Sequence, residues 1–256
     1  MLSYQHAYHA GNRADVQKHA LLAWMLAYMG SKDKPLTYIE THAGRGLYDL
    51  GSAEARKTGE AESGITAMEG RFAPDHPYRR ILDQVRARWG KDAYPGSPLI
   101  AGLSMRPGDA LRLAELHPGE HAALVQAMQG FPGEIVKRDG WDQALAIAPP
   151  NPRRGMMLID PPYEVKTDYE RAAKVVEQVA RKWNVGVIAL WYPILTEAPH
   201  DPMIAALREA IPGLLVSEIR FPPARPGHGM VGAGLAVVNP PFGLATEAGR
   251  IARLYR

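Results

Sequence analysis

The sequence predicts an α/β protein built on a doubly wound, mostly parallel sheet of seven strands, and two observations support this fold class. Seven short apolar segments have the length of buried strands, and helical patterns such as HAALVQAM and DYERAAKVVEQVARKW lie between most of them. Alternating strands and helices form βαβ units, whose helices cover both faces of a parallel sheet. A chain of 256 residues is long enough for one such domain with its own core.

The first element is a helix over residues 14–29, because ADVQKHALLAWMLAYMG carries apolar residues at helical spacing and ends in a glycine. Seven strand segments then follow in order. They are PLTYIETHAG (35–44), ALRLAEL (110–116), GEIVKRDG (133–140), RGMMLIDPP (154–162), VGVIALWYP (185–193), LLVSEIRFP (214–222) and GLAVVNPP (234–241).

The polar segment from Ser52 to Asp92 separates the first two strands and is too long for an ordinary loop. We predict a small helical insertion over residues 52–92, so that residues 1–51 and 93–256 form the main domain. Its second half, YRRILDQVRARWGK, carries five cations against one acid. Either a solvated helix face or an arm that contacts phosphates explains that composition.

Composition excludes several classes of protein. The chain has no cysteine, which rules out a disulfide scaffold and any Cys-ligated metal site, and which fits a cytoplasmic location. The longest apolar run, ALLAWMLAYM, is too short to span a bilayer, and the polar N-terminus is not a signal peptide. We therefore expect no contact with a membrane. A formal charge of +3 permits a polyanionic partner without requiring one.

A glycine turn, ETHAGRGLY, follows the first strand. Gly44 and Gly46 allow the backbone to approach a ligand closely, and ligands of such sheets lie beyond the carboxyl ends of the strands. The third glycine of the dinucleotide signature is missing, since Tyr48 stands near its place. The turn therefore indicates a ligand site but disfavours NAD or FAD.

Acidic residues end the next two strands. Glu115 can accept both ribose hydroxyls of a nucleoside cofactor, unless it is a solvated loop acid. Asp139 can accept from an adenine amino group, with Gly140 keeping the wall of the site open. The alternative is that these two residues form an Asp-Gly turn without a function.

The fourth strand ends in Asp160-Pro161-Pro162-Tyr163, which indicates methyl transfer to a planar amine. The carboxylate of Asp160 and the carbonyl of Pro161 can accept the two N–H bonds of an amine such as adenine N6, so that its lone pair points at a methyl donor. The prolines restrict φ and remove competing N–H donors. Tyr163 offers a flat face to a flipped base, and Asp160 can finally take the proton.

A second tetrapeptide, Asn239-Pro240-Pro241-Phe242, has equivalent chemistry. It follows the last strand of the chain, whereas the first tetrapeptide follows the fourth strand, after the glycine turn. The position after the fourth strand is the one expected when the cofactor-binding strands come first in the sequence. We therefore predict the site at Asp160 and a turn into the C-terminal tail at Asn239.

Histidines cluster before the first strand, at His6, His9 and His19. The H-x-x-H spacing suggests zinc, but no cysteine or carboxylate stands at ligand spacing, so we expect no metal. Lys18 and His19 on the first helix are expected to reach a ligand or a phosphate, the alternative for His19 being an ordinary helix histidine.

Together these motifs resemble the RlmJ family, bacterial methyltransferases that act on an adenine N6 of 23S ribosomal RNA. The resemblance covers nearly the whole chain in order. It is carried by MLSYQHAYHAGNRADVQKH, THAGRGLY, YPGSPLIA, ELHP, DGW, LIDPPYE, TDY, ALWYP and GMVGAGLAVVNPP. It implies an S-adenosyl-L-methionine-dependent enzyme with a Rossmann-like methyltransferase fold and a small helical insertion after the first strand.

The resemblance also implies residue roles. Asp160 resembles the catalytic acid of the family, Tyr4 a tyrosine on the substrate side, and Lys18 a basic residue at the mouth of the site. The cofactor contacts it implies are His19, His42, Ser97, Glu115, Asp139, Gly140 and Asp160, to which the glycine turn adds Gly44 and Gly46.

The expected partner is 23S ribosomal RNA, and the expected oligomeric state is a monomer. Two alternatives stay open within enzymes, a DNA adenine-N6 methyltransferase and an rRNA guanine-N2 methyltransferase, because D-P-P-Y serves several planar amines. A noncatalytic RNA-binding protein is the alternative from another class, and the intact tetrapeptide argues against it.

Overall fold

The computed structural model describes residues 5–165, 167–224, 227 and 229–256. These residues contain a seven-stranded sheet and a separate two-stranded ribbon. The strands are β1 (Thr37–Glu40), β2 (Leu47–Asp49), β3 (Ala93–Pro95), β4 (Ala110–Ala114), β5 (Glu134–Val136), β6 (Gly155–Ile159), β7 (Val187–Leu195), β8 (Leu215–Arg220) and β9 (Met230–Val238). The helices are α1 (Arg13–Gly30), α2 (Ala53–Thr58), α3 (Pro77–Trp89), α4 (Ser97–Ser104), α5 (Pro118–Ala127), α6 (Gly140–Ile147), α7 (Asp168–Lys182), α8 (Asp201–Ala210) and α9 (Leu244–Arg253).

The large sheet has the strand order β5-β4-β1-β6-β7-β9-β8 and confirms the predicted fold class. All neighbours from β5 to β7 are parallel, while β9 pairs antiparallel with both β7 and β8. The chain leaves β1 for β4 on one side and later reaches β6 on the other. The carboxyl ends of β1 and β6 therefore meet at the topological switch point, where sheets of this kind open a cleft.

Both faces of the sheet are covered, as the continuous apolar strands require. Alternate residues of β6 face different cores: Met156 and Leu158 lie in one cluster, and Met157 and Ile159 lie in the other. The first core includes apolar residues of α1, α3, α4, α5 and α9. The second includes residues of α6, α7 and α8.

Helix α1 begins one residue earlier and ends one residue later than predicted. The side chain of Asn12 accepts a hydrogen bond from the backbone of Asp15 at 2.8 Å and caps its first turn. Polar residues are buried along with the apolar ones, among them Lys18 and His19, so α1 is an interior helix. Within the part of the chain that the structure describes, no helix is long and apolar enough to cross a membrane.

Between β1 and β4 the chain forms the ribbon of β2 and β3, which pair antiparallel and enclose α2, a π-helical turn (Glu62–Thr66), a 3-10 turn (Glu69–Arg71) and α3. This ribbon was not predicted, because its two short strands flank the polar segment that was interpreted as a helical insertion. The insertion boundaries at residues 52 and 92 stay a prediction.

The basic helix α3 packs its apolar side against the first core and directs its arginines outward. Arg79 pairs with Asp83 at 3.0 Å, Arg86 pairs with Glu69, and the guanidinium of Arg88 lies 4.3 Å from the ring centre of Trp89. Three of the five predicted cations therefore already have partners within the protein, which favours a solvated helix face over a phosphate-contacting arm.

The second tetrapeptide lies far from the switch point. Because β9 runs antiparallel to β7, Asn239 follows β9 at the amino-terminal edge of the parallel strands. Its side-chain amide donates to the carbonyls of Asn184 at 3.1 Å and Gly186 at 2.8 Å. The predicted turn at Asn239 is confirmed. The strand order places the two tetrapeptides at opposite edges of the sheet.

Gly155 provides a test of the sheet at the switch point. A Cβ there would lie 2.1 Å from the carbonyl oxygen of Thr37, so Gly155→Ala must push β6 away from β1. We expect a loss of about 1–3 kcal/mol in the free energy of unfolding, measured by urea titration. Gly249→Ala is the control, because a Cβ there meets nothing within 4 Å and helix propensity favours alanine. Equal stability of both variants would contradict this packing.

Candidate active site

A cavity of about 580 Å³ opens at the switch point, a volume suited to a nucleoside-sized ligand. Most of the predicted site residues line it. They are Lys18, His19, His42, Gly44, Ser97, Glu115, Asp139, Gly140, Asp160, Pro161 and Tyr163. Tyr4 lies outside the described residues, and Gly46 is not part of the lining.

The glycine turn is held in shape by both of its glycines. Gly44 and Gly46 have φ values of +63° and +77°, in the left-handed region that favours glycine. The carbonyl of Gly46 accepts a hydrogen bond from the backbone N–H of Gly96 at 2.7 Å. Gly46 therefore supports the turn without lining the cavity. A Cβ on Gly44 would lie 2.8 Å from the hydroxyl of Tyr48.

Glu115 joins the glycine turn to the start of α5. One carboxylate oxygen accepts from the backbone of Gly44 at 2.7 Å, and the other accepts from the backbone of His117 at 2.7 Å. Each carboxylate oxygen has two lone pairs, so both can still accept a hydroxyl from a ligand in the cavity.

Residues 139–141 form an adjacent wall with His42. A Cβ on Gly140 would lie 2.1 Å from the carbonyl oxygen of Thr41, so the backbone here leaves room for glycine alone. The rings of His42 and Trp141 meet edge to face at 5.1 Å, and burial lowers the pKa of His42 to about 4. Asp139 caps α6 by accepting from the backbone of Trp141 at 2.9 Å. This wall is therefore uncharged at His42 and rigid at its backbone.

Asp160 follows β6 directly and has one carboxylate oxygen engaged. Lys18 donates to Oδ2 at 2.6 Å, while Oδ1 and the carbonyl of Pro161 accept no hydrogen bond from any described residue. The two acceptors that the tetrapeptide was predicted to offer are therefore not occupied by any described residue, and both belong to residues that line the cavity.

Tyr163 adopts a left-handed backbone conformation, with φ of +51°. Such a conformation costs a residue with a side chain on the order of 1 kcal/mol and persists where the surroundings hold it. Here the tyrosine hydroxyl donates to the carbonyl of Trp191 at 2.9 Å, and its ring lies 4.5 Å from that of Tyr169. The ring is thus held in one orientation at the cavity wall.

Lys18 lies inside the site, so its predicted place at the mouth is wrong. It is buried, and its ammonium also contacts Asp15 at 3.1 Å. Burial alone would lower the pKa of Lys18, but the carboxylates of Asp160 and Asp15 raise it above its ordinary value. Lys18 therefore stays charged beside Asp160.

Asp15 is a central residue that sequence reasoning missed. Its Oδ2 accepts from the backbone of Gly11 at 2.9 Å and lies 2.8 Å from Nε2 of His6. Burial would raise the pKa of Asp15, but His6, Lys18 and His19 together hold it well below its usual range. Its position three and four residues before Lys18 and His19 on one helix was the available signal.

Glu40, the last residue of β1, was missed as well. It is fully buried and accepts from the hydroxyls of Tyr38, at 2.8 Å, and of Ser97. Burial raises the pKa of Glu40 to about 8 in spite of these two hydrogen bonds, and the charge of Asp160 adds to the rise. A carboxyl at the end of a buried strand was the signal for it in the sequence.

The H-x-x-H histidines face two different carboxylates. His6 pairs with Asp15, and Nδ1 of His9 lies 2.8 Å from Glu60. Across residues 5–165, 167–224, 227 and 229–256, no group of three or more histidine, cysteine or acidic side chains is arranged to hold a metal ion.

Comparison with known proteins places the chain among ribosomal RNA methyltransferases. Residues 33–254 match the family model described as "Ribosomal RNA large subunit methyltransferase D, RlmJ". The chain is 38% identical to "Ribosomal RNA large subunit methyltransferase J" of Escherichia coli (strain K12), covering 98% of this chain and 91% of the relative. It is 37% identical to the protein of the same name from Haemophilus influenzae, covering 96% and 90%.

A solved structure agrees with the fold. The crystal structure of a protein from Legionella pneumophila str. Philadelphia 1 superposes with a TM-score of 0.87 at 33% sequence identity, covering 96% of this chain and 92% of that one.

The protonation of Glu40 predicts a pH effect on stability. Because its folded pKa of about 8 exceeds the ordinary value of 4.5, the folded state holds a proton that the unfolded state releases. The resulting stability is complete below about pH 4.5 and is lost as the pH rises through about 8. Relative to Glu40→Gln, wild-type protein should lose at least about 1 kcal/mol of unfolding free energy between pH 5 and about pH 9. Urea titrations across that range measure it.

The exposed residue Glu209 on α8 supplies the control. Glu209→Gln should follow the wild-type curve at every pH, because this side chain is not buried. Parallel curves for wild type and Glu40→Gln would contradict a protonated Glu40.

Proposed function

Because the chain belongs to the RlmJ family of ribosomal RNA large subunit methyltransferases, we propose that it methylates the N6 amine of an adenine in 23S ribosomal RNA, with S-adenosyl-L-methionine as donor. One observation carries the proposal beyond the family name. Asp160 and Pro161 line the cavity together with Glu115 and Asp139, and neither Oδ1 of Asp160 nor the carbonyl of Pro161 has a hydrogen-bond partner among the described residues.

The lining fits S-adenosyl-L-methionine, which supplies an electrophilic methyl group when bound. Glu115 offers two carboxylate oxygens for the ribose hydroxyls. Asp139 has one oxygen committed to capping α6, which leaves the other for the adenine amino group. The wall at Gly140, where no Cβ fits, suits a flat ring against His42 and Trp141.

The substrate amine would bind between Asp160 and Pro161. The carboxylate Oδ1 and the carbonyl each accept one N–H bond, which directs the nitrogen lone pair towards the cofactor side of the cavity. The bound cofactor would supply the methyl group, and Asp160 would accept the proton that the methylated nitrogen, by then strongly acidic, has to lose. The ring of Tyr163 offers its flat face to the flipped base.

Lys18 positions the acceptor. Its ammonium engages Oδ2 of Asp160 and is itself held by Asp15, so the carboxylate cannot rotate freely. Positioning of this kind is a large part of catalysis in a direct displacement. The charge of Lys18 also balances that of Asp160 before the base enters.

The proposal leaves some expectations as predictions. The name of the family supports ribosomal RNA over DNA as substrate. The choice of adenine N6 over guanine N2 and the monomeric state stay predictions. The same holds for the substrate-side role of Tyr4 and for a cytoplasmic location.

Removing the acceptor tests the reaction. Asp160→Ala should lower methyl transfer by at least about 10³-fold, because both orientation of the amine and proton removal are lost, while cofactor affinity changes little. The measurement is transfer of labelled methyl groups to ribosomal RNA from a strain that lacks the activity, followed by digestion and identification of the product base.

Asp33→Ala is the matched control, since Asp33 is exposed in the loop after α1 at the opposite edge of the sheet. A near-normal rate for Asp160→Ala would contradict the proposed clamp. A labelled base other than N6-methyladenine, or preferential transfer to DNA, would contradict the proposed substrate.

The cofactor side has its own test. Glu115→Gln replaces one acceptor oxygen with an amide group that also faces a backbone N–H of the turn. We expect the dissociation constant for S-adenosyl-L-methionine to rise by about 10- to 100-fold in calorimetry. Glu134→Gln on the neighbouring strand β5, where the side chain is exposed and pairs with Arg112 at 3.4 Å, should leave it unchanged. An unaltered constant in Glu115→Gln would exclude Glu115 as a contact.

A further inference from the structure

Three buried side chains form a hydrogen-bonded series that runs from the insertion to the cavity. The hydroxyls of Tyr78 on α3 and Tyr94 on β3 lie 2.9 Å apart, and the Tyr94 hydroxyl lies 2.8 Å from Nδ1 of His19 on α1. The relative exposures of Tyr78, Tyr94 and His19 are 0%, 0% and 1%. Bulk solvent therefore does not reach these contacts.

The number of available protons determines the direction in which hydrogen bonds are donated along this series. Within the described part of the chain, the Tyr78 hydroxyl has Tyr94 as its one hydrogen-bond partner. If His19 donated from Nδ1 to Tyr94, then Tyr94 would donate to Tyr78, and the Tyr78 proton would be buried without an acceptor. That arrangement costs free energy. In the reverse direction, Tyr78 donates to Tyr94 and Tyr94 donates to Nδ1 of His19, so both buried hydroxyl protons have an acceptor.

The reverse direction determines which nitrogen of His19 carries its proton. Burial lowers the pKa of His19 to about 3, although Asp15 opposes this, so the ring is neutral at neutral pH and has one proton. With Nδ1 acting as acceptor, that proton lies on Nε2. Nε2 is 3.9 Å from Oδ1 of Asp15, beyond a direct hydrogen bond, and His19 lines the cavity. An N–H donor is thus available to a ligand.

We propose that Tyr94, supported by Tyr78, is a positioning residue that holds His19 as the Nε2–H tautomer and links the packing of α3 to cofactor binding. The link to the cofactor rests on the proposed function of the cavity, whereas the tautomer does not. Neither tyrosine lines the cavity, so both act through His19.

Nitrogen NMR on protein labelled at histidine tests the tautomer. His19→Gln identifies the His19 signals by their loss. In the wild type, Nε2 should carry the proton and Nδ1 should be unprotonated. In Tyr94→Phe the donor to Nδ1 is absent, and the signals should shift towards a mixture of tautomers or the Nδ1–H form. A wild-type Nδ1–H tautomer, or unchanged His19 signals in Tyr94→Phe, would overturn the proposal.

Binding and kinetics of the same variants test the consequence. Tyr94→Phe should raise the dissociation constant and KM for S-adenosyl-L-methionine by about five- to tenfold, with kcat at saturating cofactor within about twofold of wild type. Tyr78→Phe should give a smaller change in the same direction, because Tyr94 can still donate to His19.

Tyr255→Phe is the matched control. It removes a tyrosine hydroxyl that donates to the carbonyl of Arg13 at 2.7 Å, outside the series, and should alter neither the His19 signals nor the affinity. Equal effects of Tyr94→Phe and Tyr255→Phe on affinity would overturn the link to the cofactor. A wild-type protein that binds no S-adenosyl-L-methionine would instead refute the proposed function, and the NMR result would still decide the tautomer.

Discussion

The ion pair between Lys18 and Asp160 is the interaction on which the site depends. It joins the first buried helix to the end of β6, and a buried charge is costly unless an opposite charge meets it in good geometry. Asp15 extends the pair to the loop before α1 through Gly11 and His6. The same charged contacts therefore determine three features of the structure. They dock α1 against the sheet, orient the Asp160 carboxylate and shape the N-terminal segment.

Charge in this cavity is arranged by burial as much as by residue type. His19 and His42 are neutral because burial lowers their pKa values, and Glu40 holds a proton near neutral pH because burial raises its pKa. Lys18 and Asp15 remain charged because each faces opposite charges. The result is a charged centre at Lys18, Asp15 and Asp160 beside neutral side chains, while the carboxylates of Glu115 and Asp139 also line the cavity.

Most of the fold and the acidic positions of the site were predictable from local patterns. Each of the seven sheet strands lies in a short apolar segment, and the acid or glycine turn that follows β1, β4, β5 and β6 is visible beside it, as with Glu115 and Asp160. The ribbon of β2 and β3 was not predictable, because its short strands flank the polar segment interpreted as a helical insertion and each is specified by its partner. The family resemblance placed Lys18 at the mouth of the site. Lysines are seldom buried, and the burial of this one depends on two carboxylates, Asp15 on the preceding turn of α1 and Asp160, which is distant in the sequence.

The order of the strands along the chain, the apolar face of each element and the two adjacent oxygen acceptors of Asp160 and Pro161 could be read from the sequence alone. These properties reside in short segments, where the preferences of the backbone and the chemistry of the side chains act locally. The folded chain was needed to see that Asp160 pairs with Lys18, that Glu40 is buried and that Tyr94 contacts His19. Charge state, tautomer and free acceptor atoms depend on what surrounds a group in space, and those neighbours come from elements far apart in the sequence.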